Sequence, residues 1–125
     1  GHVTVEDSVV IGGNSAVQQF TRIGRLAMIG GMTGVLKDVI PFGLSIGNRN
    51  HLQGLNLIGL RRKNYENKKI IELDKAYKEI FSSKKIHESL NKINNEFKGN
   101  ELVEEVINFI EKDKKRAICT PLNQE

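Results

Sequence analysis

The sequence has 125 residues, with 19 Lys and Arg against 15 Asp and Glu and a formal net charge of +4. That length suits one domain or two small ones, and a mild basic balance with no dense Lys/Arg run among aromatics points away from nucleic acid. The single Cys119 leaves no internal disulfide, and no apolar run approaches the ~20 residues of a membrane span, so the cytoplasm is the expected compartment.

Composition changes near Leu60. Residues 1–60 hold 4 of the Lys and Arg, 3 of the acids and 11 of the 12 glycines, whereas residues 61–125 hold 15 basic and 12 acidic residues. Two architectures are therefore expected, one over 1–60 and one over 61–125.

In the first, Val5, Ile11, Val17, Ile23, Ile29 and Val35 recur at every sixth position. The residues two places earlier, Val3, Val9, Ser15, Thr21, Ala27 and Thr33, are all small or β-branched, and glycine follows at positions 12, 24 and 30. Neither an amphipathic helix nor an alternating strand has this period; a hexapeptide β-helix does. Each hexad is expected to be one short strand plus a corner. The aliphatic residue points inward, the small residue fits the corner, and glycine supplies the backbone freedom of the turn. Identical positions then stack at about 4.8 Å. "VIPFGLSIGN" (Val39 to Asn48) ends the regular hexads, with Pro41 unable to donate to a ladder and residues 44–46 forming a last strand. Six hexads make about two triangular coils, and Gly1-His2 opens in full register, so the chain is expected to be the C-terminal piece of a longer protein.

Three amphipathic helices are expected next. Asn67 to Ser82 carries Ile70, Leu73, Tyr77 and Ile80 on one face, with Ile71 and Phe81 beside it. Ser83 would cap a second, carrying Ile86, Leu90, Ile93 and Phe97. Gly99-Asn100 is a stop followed by an N-cap, with Glu101 in the first turn of a third helix bearing Leu102, Val103, Val106, Phe109 and Ile110. Lys112, Lys114, Lys115 and Arg116 gather at its C-terminal end, where cations suit the helix dipole. The tail "CTPLNQE" is expected to be loose.

Chemistry-bearing residues are few. The histidines are His2, His51 and His87. His87 is expected on a helix surface, and His2 lies at a hexad edge where it can face a groove between coils or subunits. There is no HxH or CxxC pair and hence no expected metal site, and the glycines repeat by six rather than forming a P-loop. "GLNLIGLRRKNY" (Gly54 to Tyr65) places Arg61, Arg62 and Lys63 where solenoid meets helices. Guanidinium forks bind phosphate bidentately, and a helix starting near Tyr65 would add its positive end; the other reading is an exposed basic linker.

At these residues a resemblance becomes specific. "GHVTVED", "IGGNSAVQQFTRIG", "IGGMTGVLKDVIPF", "GNRNHLQGLNLIGLRR" and "AYKEIF" resemble the UDP-N-acetylglucosamine O-acyltransferases that open lipid A synthesis. The likeness runs from residue 1 to about 82, and more loosely beyond. It implies a left-handed parallel β-helix followed by a helical C-terminal domain. It implies a homotrimer with active sites in clefts between subunits. The implied reaction moves an (R)-3-hydroxyacyl group from acyl carrier protein to the 3-hydroxyl of UDP-N-acetylglucosamine, without a cofactor.

Residue roles follow from the resemblance alone. The general-base histidine would belong to the coil before Gly1, so this chain by itself is expected to be inactive. The Gly1 backbone N–H would donate to the oxyanion, and His2 would sit at the substrate cleft. Gln18, standing where members often carry a histidine, and Gln19 would contact the sugar nucleotide. Asn56, Arg62 and Lys63 would form its uridine and phosphate loop. Met28, Gly31 and Arg49 would line the acyl groove, with glycine at 31 implying a deep groove and a long acyl chain. The alternatives are another hexapeptide sugar-nucleotide acyltransferase of the same pathway and a non-catalytic β-helix used in assembly.

Overall fold

A computed structural model describes residues 2–47, 51–82 and 85–121. Six two-residue strands open the chain at six-residue intervals: β1 (Thr4–Val5), β2 (Val10–Ile11), β3 (Ala16–Val17), β4 (Arg22–Ile23), β5 (Met28–Ile29) and β6 (Gly34–Val35). The first three each pair in parallel with the strand 18 residues on, so Val5 lies on Ile23, Ile11 on Ile29 and Val17 on Val35. Three hexads thus make one turn, and the three short sheets are the faces of a triangular parallel β-helix.

The expected inward row is correct. Ile23, Ile29 and Val35 are fully buried, as are Thr21, Ala27 and Thr33 two places before them. In the first coil the same row is open on one side within this chain, and Ile11 keeps 41% of its surface although it stacks on Ile29. Each fully buried aliphatic contributes about 1.5–3 kcal/mol.

The corner chemistry differs from expectation. The left-handed residues are Ser8, Asn14, Phe20, Leu26 and Met32, with φ between 57° and 68° and again six apart. Gly12, Gly24 and Gly30 are not among the positive-φ residues. A left-handed non-glycine costs roughly 1–2 kcal/mol. Hydrogen bonds between coils offset it: the N–H groups of Leu26 and Met32 each donate at 2.9 Å to a carbonyl of the previous coil. Glycine is needed for a different reason. A Cβ on Gly12 would overlap the Gly31 backbone, and one on Gly24 would overlap Pro41.

A third coil is two residues shorter. Val39 bridges to Ile23, and β7 (Gly43–Ser45) pairs in parallel with β5, placing Met28 on Leu44. β8 (Leu52–Leu55) then turns back antiparallel to β7, a strand the sequence reading did not anticipate. Four helices follow: α1 (Leu57–Arg62), α2 (Asn67–Phe81), α3 (Ile86–Glu96) and α4 (Glu101–Lys112). The expected boundary at residue 60 falls inside α1, and Tyr65 lies between α1 and α2 rather than opening a helix. The last three helices pack on one another through Leu73, Ile80, Leu90, Ile93, Val106 and Ile110, and Phe81 is buried while Ile71 faces solvent.

Asn100 caps α4 as expected, its Oδ1 accepting from the N–H groups of Leu102 (3.0 Å) and Val103 (3.3 Å). Ser83 lies outside the described residues; α3 instead begins after Lys85, with no side-chain cap. The expected loose tail is docked as far as Pro121. Ile118 bridges Asp38, Pro121 bridges Leu52, and the Cys119 N–H donates to the Asp38 carbonyl at 2.7 Å, burying Cys119 fully. The physical reason is that the third coil leaves unpaired backbone groups, which the returning chain satisfies.

Candidate functional site

On the sheet of β2, β5, β7 and β8 the outward row begins Val10, Met28, because residues 18 apart stack. The corner residues Ser8 and Leu26 flank that row. α1 stands against it and encloses a cleft of about 400 Å³, whose other wall is Asn56, Ile58, Gly59, Arg62 and Lys63. Its floor is therefore apolar and one rim cationic.

The local sequence explains α1's place. Asn56 is buried; its Oδ1 accepts from the Gly59 N–H at 3.1 Å and its Nδ2 donates to the Leu26 carbonyl at 3.0 Å. A Cβ on Gly59 would overlap Asn56 Nδ2 and lie 2.7 Å from Leu26 Cδ2, so only glycine permits this approach. Arg62 and Lys63 end the helix, exposed, and make no ion pair among the described residues. They stand at the negative end of α1, so the anion attraction at this rim comes from side-chain charge and not from a helix N-terminus.

Met28, Asn56, Arg62 and Lys63 are thus brought into one cleft. Gln18 and Gln19 lie in another, of about 210 Å³, closed by Leu36 and by Lys115, Arg116 and Ala117 of the docked C-terminal segment. His2 is exposed, its ring stacked on Phe20 at 6.0 Å between centroids and its carbonyl accepting the Phe20 N–H. That contact places His2 beside the chain of Gln18 and Gln19, on a different part of the solenoid from α1. Gly31 follows β5 and stacks on Gly13, where a Cβ would lie 3.3 Å from the Gly13 carbonyl oxygen; it does not line the α1 cleft. Gly1 and Arg49 lie outside the described residues.

Sequence reasoning passed over Ser8, Val10, Leu26, Ile58 and Gly59 as cleft residues. The 18-residue coil repeat held the signal for two pairs of wall residues, since it stacks position 8 on 26 and position 10 on 28. Lys115 and Arg116, read as a helix-end cluster, lie beyond α4, which ends at Lys112, and Arg116 pairs with the buried Asp38 at 3.3 Å. His87 is exposed on α3 as expected. Among the described residues no three His, Cys, Asp or Glu side chains gather as metal ligands, and no helix is long and apolar enough to cross a membrane.

Beside the cleft, Arg25 is the main electrostatic node. Its guanidinium forks onto Glu105, Nε to Oε2 and Nη2 to Oε1, each at 3.0 Å, and Nη2 also donates to the Tyr65 hydroxyl at 2.8 Å. The Glu105 carboxylate raises the Arg25 pKa further above its ordinary value.

Residues 38–119 match the family model described as UDP N-acetylglucosamine O-acyltransferase, domain 2. The chain belongs to this family. The acyl-[acyl-carrier-protein]–UDP-N-acetylglucosamine O-acyltransferase of Rhizobium rhizogenes is 42% identical over 122 residues, covering 97% of this chain and 45% of that protein. The protein of the same name in Nautilia profundicola is 46% identical over 110 residues, covering 88% of this chain and 42% of the relative. Among solved structures, LpxA from Acinetobacter baumannii superposes with a TM-score of 0.88 at 36% identity, covering 95% of this chain and 46% of its own. The β-helix is accordingly the left-handed kind of the UDP-N-acetylglucosamine O-acyltransferases. The chain spans about half the length of the relatives it matches.

Proposed function

We propose that this chain supplies the sugar-nucleotide and acyl-chain walls of an acyltransferase that moves an (R)-3-hydroxyacyl group from acyl carrier protein to the 3-hydroxyl of UDP-N-acetylglucosamine. The observation that carries the reading is the α1 cleft. An apolar floor of Val10 and Met28 suits an acyl chain, while Arg62 and Lys63 suit a diphosphate. Family membership and the names of the relatives support the substrate pair.

In the proposed reaction a base takes the proton from the sugar 3-hydroxyl. The oxygen attacks the thioester carbonyl, the C–S bond breaks, and the carrier thiolate leaves with that proton. The Gly1 N–H is assigned to the oxyanion, His2, Gln18 and Gln19 to the acceptor, and Gly31 and Arg49 with Met28 to the acyl groove. The base is a histidine of a preceding coil. Three copies would bring the Gln18/Gln19 cleft of one against the α1 cleft of another, so a homotrimer working in the cytoplasm without a cofactor completes the reading.

The experiment is calorimetric titration of UDP-N-acetylglucosamine into the full-length protein and its Arg62→Ala variant, with acyl transfer from acyl carrier protein assayed alongside. Losing one charge-assisted contact costs about 1.5–3 kcal/mol, so affinity should fall by about ten-fold or more. Equal affinity in the two proteins would remove Arg62 from the site. Absence of any UDP-sugar binding would favour a non-catalytic β-helix.

A further inference from the structure

Helix α1 has six residues, about 9 Å of helix. An isolated helix of that length does not hold itself together in water, so its position is set by what it touches. Two residues adjacent in sequence, Arg25 and Leu26, hold its start and Tyr65, which lies three residues past its end and donates its N–H back to the Leu60 carbonyl of α1 at 3.4 Å. At the start, the Leu26 carbonyl accepts Asn56 Nδ2 at 3.0 Å, and the Leu26 side chain fills the space beside Gly59. Just past the end, Arg25 Nη2 donates to the Tyr65 hydroxyl at 2.8 Å. A third link runs through the backbone: the Arg25 carbonyl accepts the Phe42 N–H at 2.9 Å, and the Phe42 carbonyl accepts the Asn56 N–H at 2.7 Å.

The corner itself is held firmly. Leu26 is left-handed, with φ of 61°, and its N–H donates to the Asp7 carbonyl of the previous coil at 2.9 Å. The Arg25 N–H donates to the Glu6 carboxylate at 2.9 Å, and the Arg25 guanidinium is neutralised by the Glu105 fork. A guanidinium so occupied is not available for a phosphate. It fixes geometry instead.

We propose that the Arg25-Leu26 corner is the positioning element of the sugar-nucleotide site, clamping α1 at its start and, through Tyr65, just past its end, and so setting where Arg62 and Lys63 meet the diphosphate. Arg25 is the positioning residue, and Tyr65 is the group through which it acts. The inference rests on the assignment of α1 to the sugar nucleotide.

The test is a double-mutant cycle in the full-length protein, measuring steady-state acyl transfer with each substrate varied in turn. Tyr65→Phe removes one hydroxyl and leaves the ring in place. It should raise KM for UDP-N-acetylglucosamine by about three- to ten-fold, with kcat, the KM for the acyl carrier protein donor and the melting temperature unchanged. Arg25→Lys, which keeps a charge but loses the Glu105 fork, should raise the same KM with kcat unchanged when assayed well below its own melting temperature. In an Arg62→Ala/Lys63→Ala background, Tyr65→Phe should add nothing, because both groups being positioned are gone. A sugar KM unchanged in Tyr65→Phe but raised in Arg62→Ala overturns the positioning role and leaves the site assignment standing. No change in either variant overturns the site assignment itself. Equal increases for both substrates, or a lowered melting temperature accounting for the loss, would make the corner a structural element only and overturn the inference.

Discussion

Arg22 and Asp38 join the second coil to the third along two routes at once. The Arg22 backbone N–H donates to Asp38 Oδ1 at 2.9 Å, and its Nε donates to Oδ2 at 2.7 Å. The carboxylate is fully buried. Arg116, from the docked C-terminal segment, reaches the same Oδ1 at 3.3 Å. Arg22 also extends to the Phe109 carbonyl at 3.0 Å and lies 4.2 Å over the Phe109 ring. One acid therefore ties the solenoid to α4 and to the tail.

Asp38→Asn should be among the most destabilising substitutions in the chain. It leaves the mostly buried Arg22 guanidinium and the partly exposed Arg116 short of a counter-charge at a fully buried position, and breaking a buried pair by removing one partner costs about 3–5 kcal/mol. Denaturant unfolding of the two proteins measures the difference. Arg116→Ala should cost clearly less, since its side chain keeps 31% of its surface and its contact is longer. Equal losses would show that the tail, and not the coil junction, is what Asp38 secures.

Adjacent glycines should behave oppositely. A Cβ on Gly12 overlaps the Gly31 backbone, whereas one on Gly13 meets nothing within 4 Å. Neither is left-handed. Gly12→Ala should force two coils apart and destabilise by about 1–3 kcal/mol. Gly13→Ala should be neutral or stabilising by about 0.4–1 kcal/mol, because it restricts only the unfolded chain. Thermal melts of both variants decide it, and matched losses would contradict the coil-contact account of these glycines.

The same pair shows what the sequence revealed and where it stopped. The row from Val5 to Val35 specified the coil period and the inward face, because burial repeats wherever the backbone repeats. It did not reveal why glycine follows the inward residue, because coil-to-coil crowding depends on a residue 18 or so positions away. The left-handed corners at Phe20, Leu26 and Met32 gave no warning, as bulky residues there run against intrinsic preference and are held by tertiary hydrogen bonds. β8 and the docked tail escaped for a related reason: their pairing partners are distant and their own patterns too short to read. In the cleft, Arg62 and Lys63 were legible as a charged triplet with Arg61. Leu26 and Gly59 were not, since their importance lies in contact with Asn56.

Gly31 tests the acyl-groove assignment separately from α1. It is three residues past Met28 and stacks on Gly13, so a longer side chain must leave the coil outward. Gly31→Met should shift the full-length protein toward shorter acyl donors, with KM for the sugar nucleotide unchanged. Competition between acyl carrier proteins charged with short and long chains reads the shift. Gly31→Ala, which crowds the Gly13 carbonyl oxygen at 3.3 Å without filling a groove, is the control. An unaltered donor profile in Gly31→Met would take the residue out of the groove.

Tyr77 gives a pH dependence with a definite sign. It is buried on α2 against Phe81, with ring centroids 5.1 Å apart. Burial, reinforced by Cys119 and Asp74 nearby, pushes the phenol up from 10.0 to about 12. The unfolded chain therefore loses this proton before the folded one does. Stability is full below pH 10 and falls as pH rises from about 10 to about 12. Tyr65 and Tyr77 are the only 2 tyrosines, so in a Tyr65→Phe background the phenolate absorption reports Tyr77 alone. Its titration should be displaced upward in the folded protein and return to the ordinary range in denaturant. Tyr77→Phe should remove its share of the alkaline loss of stability. A Tyr77 titrating at the ordinary value in the folded state would mean that the α2 face toward Cys119 is open to water.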